Sequence, residues 1–189
     1  MKEIKTYQLF INGEWVTAKS GLTANVLNPA NEEVIGIVQD GNEEDANIAL
    51  KAAEKAQKEW RRLPARKRAE LLYAFTAEIR ANREKLANII TQEQGKLLKV
   101  ARFEVDVTCS FIEYACEWAR HIEGDIVQSD NVNEQIWINK VPRGVIAAIT
   151  AWNFPLALAG RKIGPALITG NTIVVKPTTE TPISTLELG

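Results

Sequence analysis

The chain has 189 residues, of which 46% are apolar and 25% charged, and its formal net charge is −1. This size and composition fit one globular domain with a hydrophobic core. The near-zero charge excludes strong electrostatic attraction to nucleic acid or an anionic membrane, and no apolar run is long enough to span a bilayer. The charged stretch 1–5 precedes no signal-peptide core, so we expect a cytoplasmic protein with neither kind of partner.

The first forty residues predict a small antiparallel sheet. Asn12-Gly13 separates the strand-like stretches 7–11 and 15–16, and this dipeptide is typical of a two-residue hairpin turn because both turn positions need a positive φ. Two further short strands are predicted at 23–27 and 34–38.

Three helices are predicted next. Asn42 can cap the first, and the second is expected to run unbroken from Pro64 or Ala65 to Gly95. The apolar stripe of the second consists of Leu72, Phe75, Ile79, Leu86 and Ile90. The third is expected to stop at Gly124, and its stripe consists of Val100, Phe103, Val107, Phe111, Tyr114, Trp118 and Ile122. We interpret this aromatic stripe as a packed core face rather than a cofactor box.

Histidine and cysteine are too scarce for several common kinds of site. His121 is the only histidine, which excludes multi-histidine metal sites and argues against Ser-His-Asp and Cys-His mechanisms, so no metal is expected. Cys109 and Cys116 would lie two helical turns apart, about 10 Å, which is too far for a disulfide. Two free thiols fit a reducing compartment.

Residues 125–142 interrupt the helical pattern with a polar excursion. Asn131, Asn133 and Glu134 indicate a turn, and 135–141 alternate as in a strand. The pattern predicts a two-stranded excursion from a compact domain, and a solvated hairpin is one interpretation of it.

The last part of the chain predicts a βαβ unit. Strand-like runs at 145–150 and 172–175 flank a segment with helical spacing, and such crossovers place their strands parallel. Asn153 and Lys176 then follow the carboxyl ends of two parallel strands, where open α/β sheets bind ligands.

Several motifs, taken together, resemble the N-terminal half of the aldehyde dehydrogenase superfamily. They are Leu9-Phe10-Ile11-Asn12-Gly13-Glu14-Trp15, Asn28-Pro29-Ala30, Glu117-Trp118-Ala119-Arg120, Glu123-Gly124, Trp152-Asn153-Phe154-Pro155, Gly164-Pro165-Ala166-Leu167, Thr169-Gly170-Asn171-Thr172 and Lys176-Pro177. Gln128-Ser129-Asp130 and Arg161-Lys162 resemble the lactaldehyde/glycolaldehyde dehydrogenase branch.

The resemblance implies an α/β fold: the Rossmann-like cofactor-binding domain of aldehyde dehydrogenases, truncated, with a β-hairpin oligomerisation arm. It divides the chain into an N-terminal part of that domain at 1–124, the arm at 125–142, and the start of the βαβ cofactor-binding region at 143–189. Because the sequence stops inside what reads as a new helix after Pro182, we expect it to be the first part of a longer protein. The resemblance implies that this longer protein forms a homodimer or homotetramer.

The implied reaction is NAD(P)-dependent oxidation of an aldehyde, such as lactaldehyde or glycolaldehyde, to a carboxylic acid through a thiohemiacetal and hydride transfer. The family's nucleophilic cysteine and glutamate base belong to a part that this sequence lacks, and neither Cys109 nor Cys116 matches them. The chain alone is therefore expected to be inactive. The alternative is a non-catalytic fold fragment or interaction module.

Two residues receive catalytic roles by resemblance. The Asn153 amide would donate a hydrogen bond to the oxyanion of the thiohemiacetal; the alternative is a turn residue whose side chain satisfies the local backbone. Lys162 matches a position described as a proton relay, although a structural role is favoured.

The NAD or NADP site is also implied by resemblance. Lys176 would bond the adenosine ribose hydroxyls, and the matching positions beside it are Ile149, Thr150, Ala151, Trp152, Asn153, Pro177, Thr178 and Thr179. Many NAD-preferring relatives carry a glutamate where this chain has Thr179, and its glutamate, Glu180, is one residue further on. A threonine does not repel a 2′-phosphate, so we predict that NADP is accepted.

Overall fold

The computed structural model describes residues 4–189. Residues 1–3, part of the stretch behind the cytoplasmic expectation, lie outside the described residues. The strands are β1 (Thr6–Tyr7), β2 (Leu9–Ile11), β3 (Glu14–Val16), β4 (Thr23–Leu27), β5 (Val34–Gln39), β6 (Asp125–Gln128), β7 (Gln135–Ile138), β8 (Val145–Ile149) and β9 (Thr172–Lys176). The helices are α1 (Glu43–Trp60), α2 (Ala65–Ala81), α3 (Arg83–Gln94), α4 (Leu98–Glu117), α5 (Pro155–Ile168) and α6 (Ile183–Leu186).

The N-terminal strands form two sheets rather than the one antiparallel sheet predicted. β2 and β3 make a separate hairpin, whose turn residues Asn12 and Gly13 have φ of 56° and 80°. In the other sheet β5 lies in the middle, antiparallel to β4 but parallel to β1. The predicted strand 7–11 is therefore split, because its two ends pair with different partners.

The predicted second helix is two helices that meet at Asn82. Asn82 leaves the helical conformation, with φ −99° and ψ 16°, and its side-chain amide donates to the Glu78 carbonyl. Asparagine competes in this way with the backbone for helical acceptors, which explains a break that the apolar spacing did not show. The predicted cap at Asn42 and the stop at Gly95, which has φ 84°, are confirmed.

The predicted core face of α4 is wrong. Phe103 and Tyr114 are each 61% exposed, and the helix ends at Glu117, followed by one 3₁₀ turn. The buried face carries instead Ala101, Glu104, Val105, Thr108, Cys109, Ile112, Ala115 and Cys116. These are mostly small side chains, which allow the backbone of another helix to approach.

That helix is α5, and two of its glycines allow it to approach α4 closely. A Cβ on Gly160 would lie 2.6 Å from the Thr108 Cγ2, and one on Gly164 would lie 3.0 Å from the Ile112 Cα. α5 can therefore lie directly on α4, and the main hydrophobic core is built from α2, α3, α4 and α5 around residues such as Ile90, Ile112 and Leu156.

The two remaining predicted units are present. β6 and β7 form an antiparallel hairpin in which every strand residue is exposed. β8 and β9 pair in parallel across α5, as the predicted βαβ unit requires. The division at 1–124, 125–142 and 143–189 stays a prediction.

Within residues 4–189 no helix has the length and apolar character needed to cross a membrane, and no cluster of three or more potential metal ligands occurs.

Candidate active site

The carboxyl ends of β8 and β9 carry the predicted cofactor residues. Ile149 lies opposite Lys176 in the ladder, and the Thr150 N–H donates to the Lys176 carbonyl at 3.2 Å. Ile149 and Trp152 are exposed, whereas Thr150 is buried and its hydroxyl has no hydrogen-bond partner in the described part of the chain. A buried unpartnered hydroxyl beside an exposed cation leaves polar capacity for a ligand at this edge.

Asn153 lies in the turn between β8 and α5. Its side chain is exposed, and no hydrogen bond within residues 4–189 involves its amide. The alternative interpretation, that the Asn153 side chain hydrogen-bonds the backbone of its own turn, is therefore supported by no hydrogen bond in this part of the chain. Phe154, at the cap position of α5, has φ −140° and offers no side-chain acceptor, while Pro155 occupies the first turn.

A buried carboxylate from α4 replaces the missing cap of α5. Glu104 is fully buried, and its Oε1 accepts from the N–H groups of Leu156 at 3.0 Å and Ala157 at 3.2 Å. These are donors that the first turn of a helix leaves unsatisfied, and a negative charge there is favourable.

A lysine completes this arrangement. Lys96 forms an ion pair with the Glu104 Oε2, donates to the Asn153 carbonyl at 2.9 Å, and lies 4.0 Å from the centre of the Phe154 ring. Sequence reasoning missed both residues. The available signal was a single glutamate on the helix face that also carries Ala101, Val105 and Thr108.

The segment around α6 supports the same turn from another side. Thr181 donates to the Trp152 carbonyl at 3.2 Å, and Thr185 donates to the Pro155 carbonyl at 3.1 Å. Glu93 accepts from the N–H groups of Ile183 at 2.7 Å and Ser184 at 3.0 Å. Burial raises the pKa of Glu93 to about 7, although the hydrogen bonds from Ser184 and Ile183 lower it.

The loop after β9 carries the other predicted cofactor residues. Lys176 is exposed and donates to the Pro177 carbonyl at 3.3 Å. The Thr178 hydroxyl donates to the Glu180 carboxylate, and this bond lowers the pKa of Glu180. Thr179 lies between them and is exposed.

The structure does not bring Lys162 to the Asn153 turn. Lys162 lies two turns into α5, about 10 Å along the axis from Pro155, and it is exposed. No hydrogen bond within residues 4–189 involves its ammonium group, so the proton-relay assignment gains no contact here.

The two cysteines are unsuited to nucleophilic chemistry. Cys109 and Cys116 are free and buried, and burial raises the pKa of each thiol to about 11. A thiol with such a pKa is protonated at neutral pH, whereas the attacking species is a thiolate.

Comparison with known proteins identifies the class. The aldehyde dehydrogenase family model matches residues 15–189, and the chain belongs to the aldehyde dehydrogenase family. The chain is 63% identical over 186 residues to 3,6-anhydro-α-L-galactose dehydrogenase of Vibrio sp. strain EJY3, covering 98% of this chain and 39% of that protein. It is 45% identical to lactaldehyde dehydrogenase of Escherichia coli K12, covering 93% of this chain and 37% of that protein.

A solved structure gives the same result for the fold. The structure of a 3,6-anhydro-L-galactose dehydrogenase in complex with NAP matches with a TM-score of 0.95 at 61% identity, covering 97% of this chain and 38% of that one. The predicted family and fold class are confirmed. The chain spans less than two fifths of the length of these relatives.

Proposed function

We propose that the full-length protein containing this chain is an NAD(P)-dependent aldehyde dehydrogenase, and that residues 143–189 supply part of its cofactor site and one oxyanion donor. The observation that carries this proposal is the Asn153 amide, which makes no hydrogen bond within residues 4–189. The turn that presents it is held by Lys96, Glu104 and Thr181 beside the carboxyl ends of β8 and β9. A nucleophile from outside this chain would attack the aldehyde, and the oxygen that becomes negative would accept from Asn153.

The residues at this edge fit a nicotinamide dinucleotide. Its chemistry, when bound, is to accept a hydride from the substrate. Lys176 would bond the ribose hydroxyls, Thr178 and Thr179 would lie beside them, and the polypeptide from Ile149 to Trp152 would form a wall. The unpartnered hydroxyl of buried Thr150 supports this assignment. The relative solved in complex with NAP supports NADP as one of the cofactors.

The relatives point to a substrate class. Lactaldehyde and 3,6-anhydrogalactose share a hydroxyl on the carbon next to the aldehyde, and the two relatives with these names are 45% and 63% identical to this chain. We therefore propose a 2-hydroxyaldehyde as substrate, with lactaldehyde and glycolaldehyde as the simplest cases.

An assay of the full-length protein tests this function. Lactaldehyde, glycolaldehyde and 3,6-anhydrogalactose are offered with NAD and with NADP, and propanal, which lacks the 2-hydroxyl, is the matched control. We expect cofactor reduction with the hydroxyaldehydes and a lower kcat/KM with propanal. No reduction of either cofactor would contradict the proposal. The separate 189-residue chain is expected to be inactive in the same assay.

The exposed β6–β7 hairpin is proposed as the arm of a homodimer or homotetramer. Ile126 and Trp137 lie opposite each other in it and are 68% and 63% exposed. Replacing both by serine should lower the molar mass of the full-length protein in solution, as measured by light scattering; an unchanged mass would argue for a solvated hairpin.

The free state of both cysteines supports a cytoplasmic location.

A further inference from the structure

One buried ion pair contacts both sides of the Asn153 turn. Lys96 follows the end of α3, and Glu104 lies on α4. The Lys96 side chain is 10% exposed and the Glu104 side chain is fully buried. Lys96 donates to the Asn153 carbonyl before α5, and Glu104 accepts from Leu156 and Ala157 within its first turn.

Apart from the bond between the two residues, the side-chain hydrogen bonds of Lys96 and Glu104 within residues 4–189 all go to the turn. One Glu104 oxygen accepts from the two helix amides and the other from Lys96, while Lys96 also lies over the Phe154 ring. Transferring two charges out of water is costly, so a buried pair contributes little net stability compared with apolar residues of similar volume. We therefore expect the Lys96–Glu104 pair to affect mainly the backbone geometry of the Asn153 turn.

That geometry concerns the direction of the Asn153 side chain. The Asn153 carbonyl is fixed on one side by an ammonium group, and the Leu156 amide is fixed three residues later by a carboxylate. Phe154 and Pro155 lie between these two points and supply no side-chain hydrogen bond. Rotation of the backbone at Asn153 would break the bond from Lys96.

We propose that Lys96 and Glu104 are positioning residues that fix the backbone of the Asn153 turn and so aim its amide at the reacting oxygen. The role in catalysis rests on the proposed function, whereas the control of turn geometry does not. Neither residue touches the substrate in this proposal; both act through Asn153.

Two double variants of the full-length protein test this proposal in graded steps. K96M/E104Q removes the donor to the Asn153 carbonyl and leaves a neutral acceptor for the helix amides. K96M/E104M removes that acceptor as well. The matched control is R83M/D106N, which removes an ion pair between α3 and α4 that has 2.7–2.8 Å bonds but is more exposed and makes no hydrogen bond to the turn.

Two measurements separate positioning from a merely structural role. The first is kcat alongside the cofactor KM. We expect kcat to fall about ten-fold in K96M/E104Q and about a hundred-fold in K96M/E104M, with the cofactor KM changed less than about two-fold, because a misplacement near 1 Å has effects of this size on the chemical step. The control should match the parent.

The second measurement is amide hydrogen exchange at Leu156 and Ala157 relative to Ile163 in the middle of α5. Exchange at the first two amides should rise from parent to K96M/E104Q to K96M/E104M, while exchange at Ile163 stays constant. Unchanged exchange at Leu156 and Ala157, or equal acceleration throughout α5, would overturn the proposal. Should K96M/E104M fail to fold, K96M/E104Q decides alone.

The outcomes also separate this proposal from the proposed function. A parent protein that reduces neither cofactor with any aldehyde would refute the function, while hydrogen exchange would still decide whether the pair controls the turn. An active parent whose kcat is unaffected by both double variants would refute positioning in catalysis and leave the function standing.

Discussion

Ile149 and Lys176 are direct partners in the parallel ladder, each at the last residue of its strand. The two segments that leave these strands, toward Asn153 in one case and toward Thr179 in the other, therefore start from the same edge of the sheet. The proposed oxyanion donor and the proposed cofactor-selecting residue therefore lie on two segments that leave the sheet at one edge.

The first prediction concerns cofactor choice. T179E in the full-length protein should lower kcat/KM for NADP by about ten-fold or more, since a carboxylate close to a 2′-phosphate repels it. The value for NAD should change little. T23E, which adds the same charge in a different sheet, is the control. A parent that already rejects NADP, together with no effect of T179E, would show that Thr179 does not select the cofactor.

Local pattern was sufficient to predict the βαβ unit and the position of Asn153 and Lys176, because a crossover fixes which strand ends lie together. It was insufficient for the residues that hold the turn. Glu104 and Leu156 are 52 positions apart, and Lys96 and Asn153 are 57 apart. Such contacts depend on which face of α4 packs, and apolar spacing selected the wrong face because small residues and a buried glutamate form the real one.

The second prediction concerns pH. Burial raises the pKa of Glu93 from its ordinary value of 4.5 to about 7 in the folded protein, so the folded state holds a proton that the unfolded state releases. The stabilisation by Glu93 is fully present below pH 4.5 and is lost as the pH rises from there through 7. The free energy of unfolding lost in this way is on the order of 3 kcal/mol. The melting temperature of E93Q minus that of the parent should therefore increase from about pH 5 to about pH 8. A constant difference would contradict the raised pKa.

The third prediction concerns the thiols. Because burial raises the pKa of Cys109 and Cys116 to about 11, iodoacetamide should leave both unmodified in the folded protein at neutral pH. Denatured protein is the control, in which both should react, and peptide mass spectrometry locates the modified residues. Rapid alkylation of either residue in the folded protein at neutral pH would contradict the raised pKa of its buried thiol.

The fourth prediction concerns the contact of α4 with α5. G160A should lower the free energy of unfolding by about 1–3 kcal/mol, because the new methyl group would overlap the Thr108 methyl group. T108S removes that methyl group and retains the hydroxyl that donates to the Glu104 carbonyl. G160A/T108S should therefore recover part of the loss in a urea titration. Additive losses would show that the two groups do not meet.

The most direct test of the central claim is the effect of N153A on the chemical step of the full-length protein. We predict that kcat for lactaldehyde falls by about a hundred-fold or more while the cofactor KM stays nearly unchanged, since the lost hydrogen bond forms mainly in the transition state. N153D, which replaces the donor by a carboxylate, should be at least as slow. An N153A protein with the parent's kcat, under conditions where chemistry limits the rate, would contradict the assignment of Asn153 as the oxyanion donor.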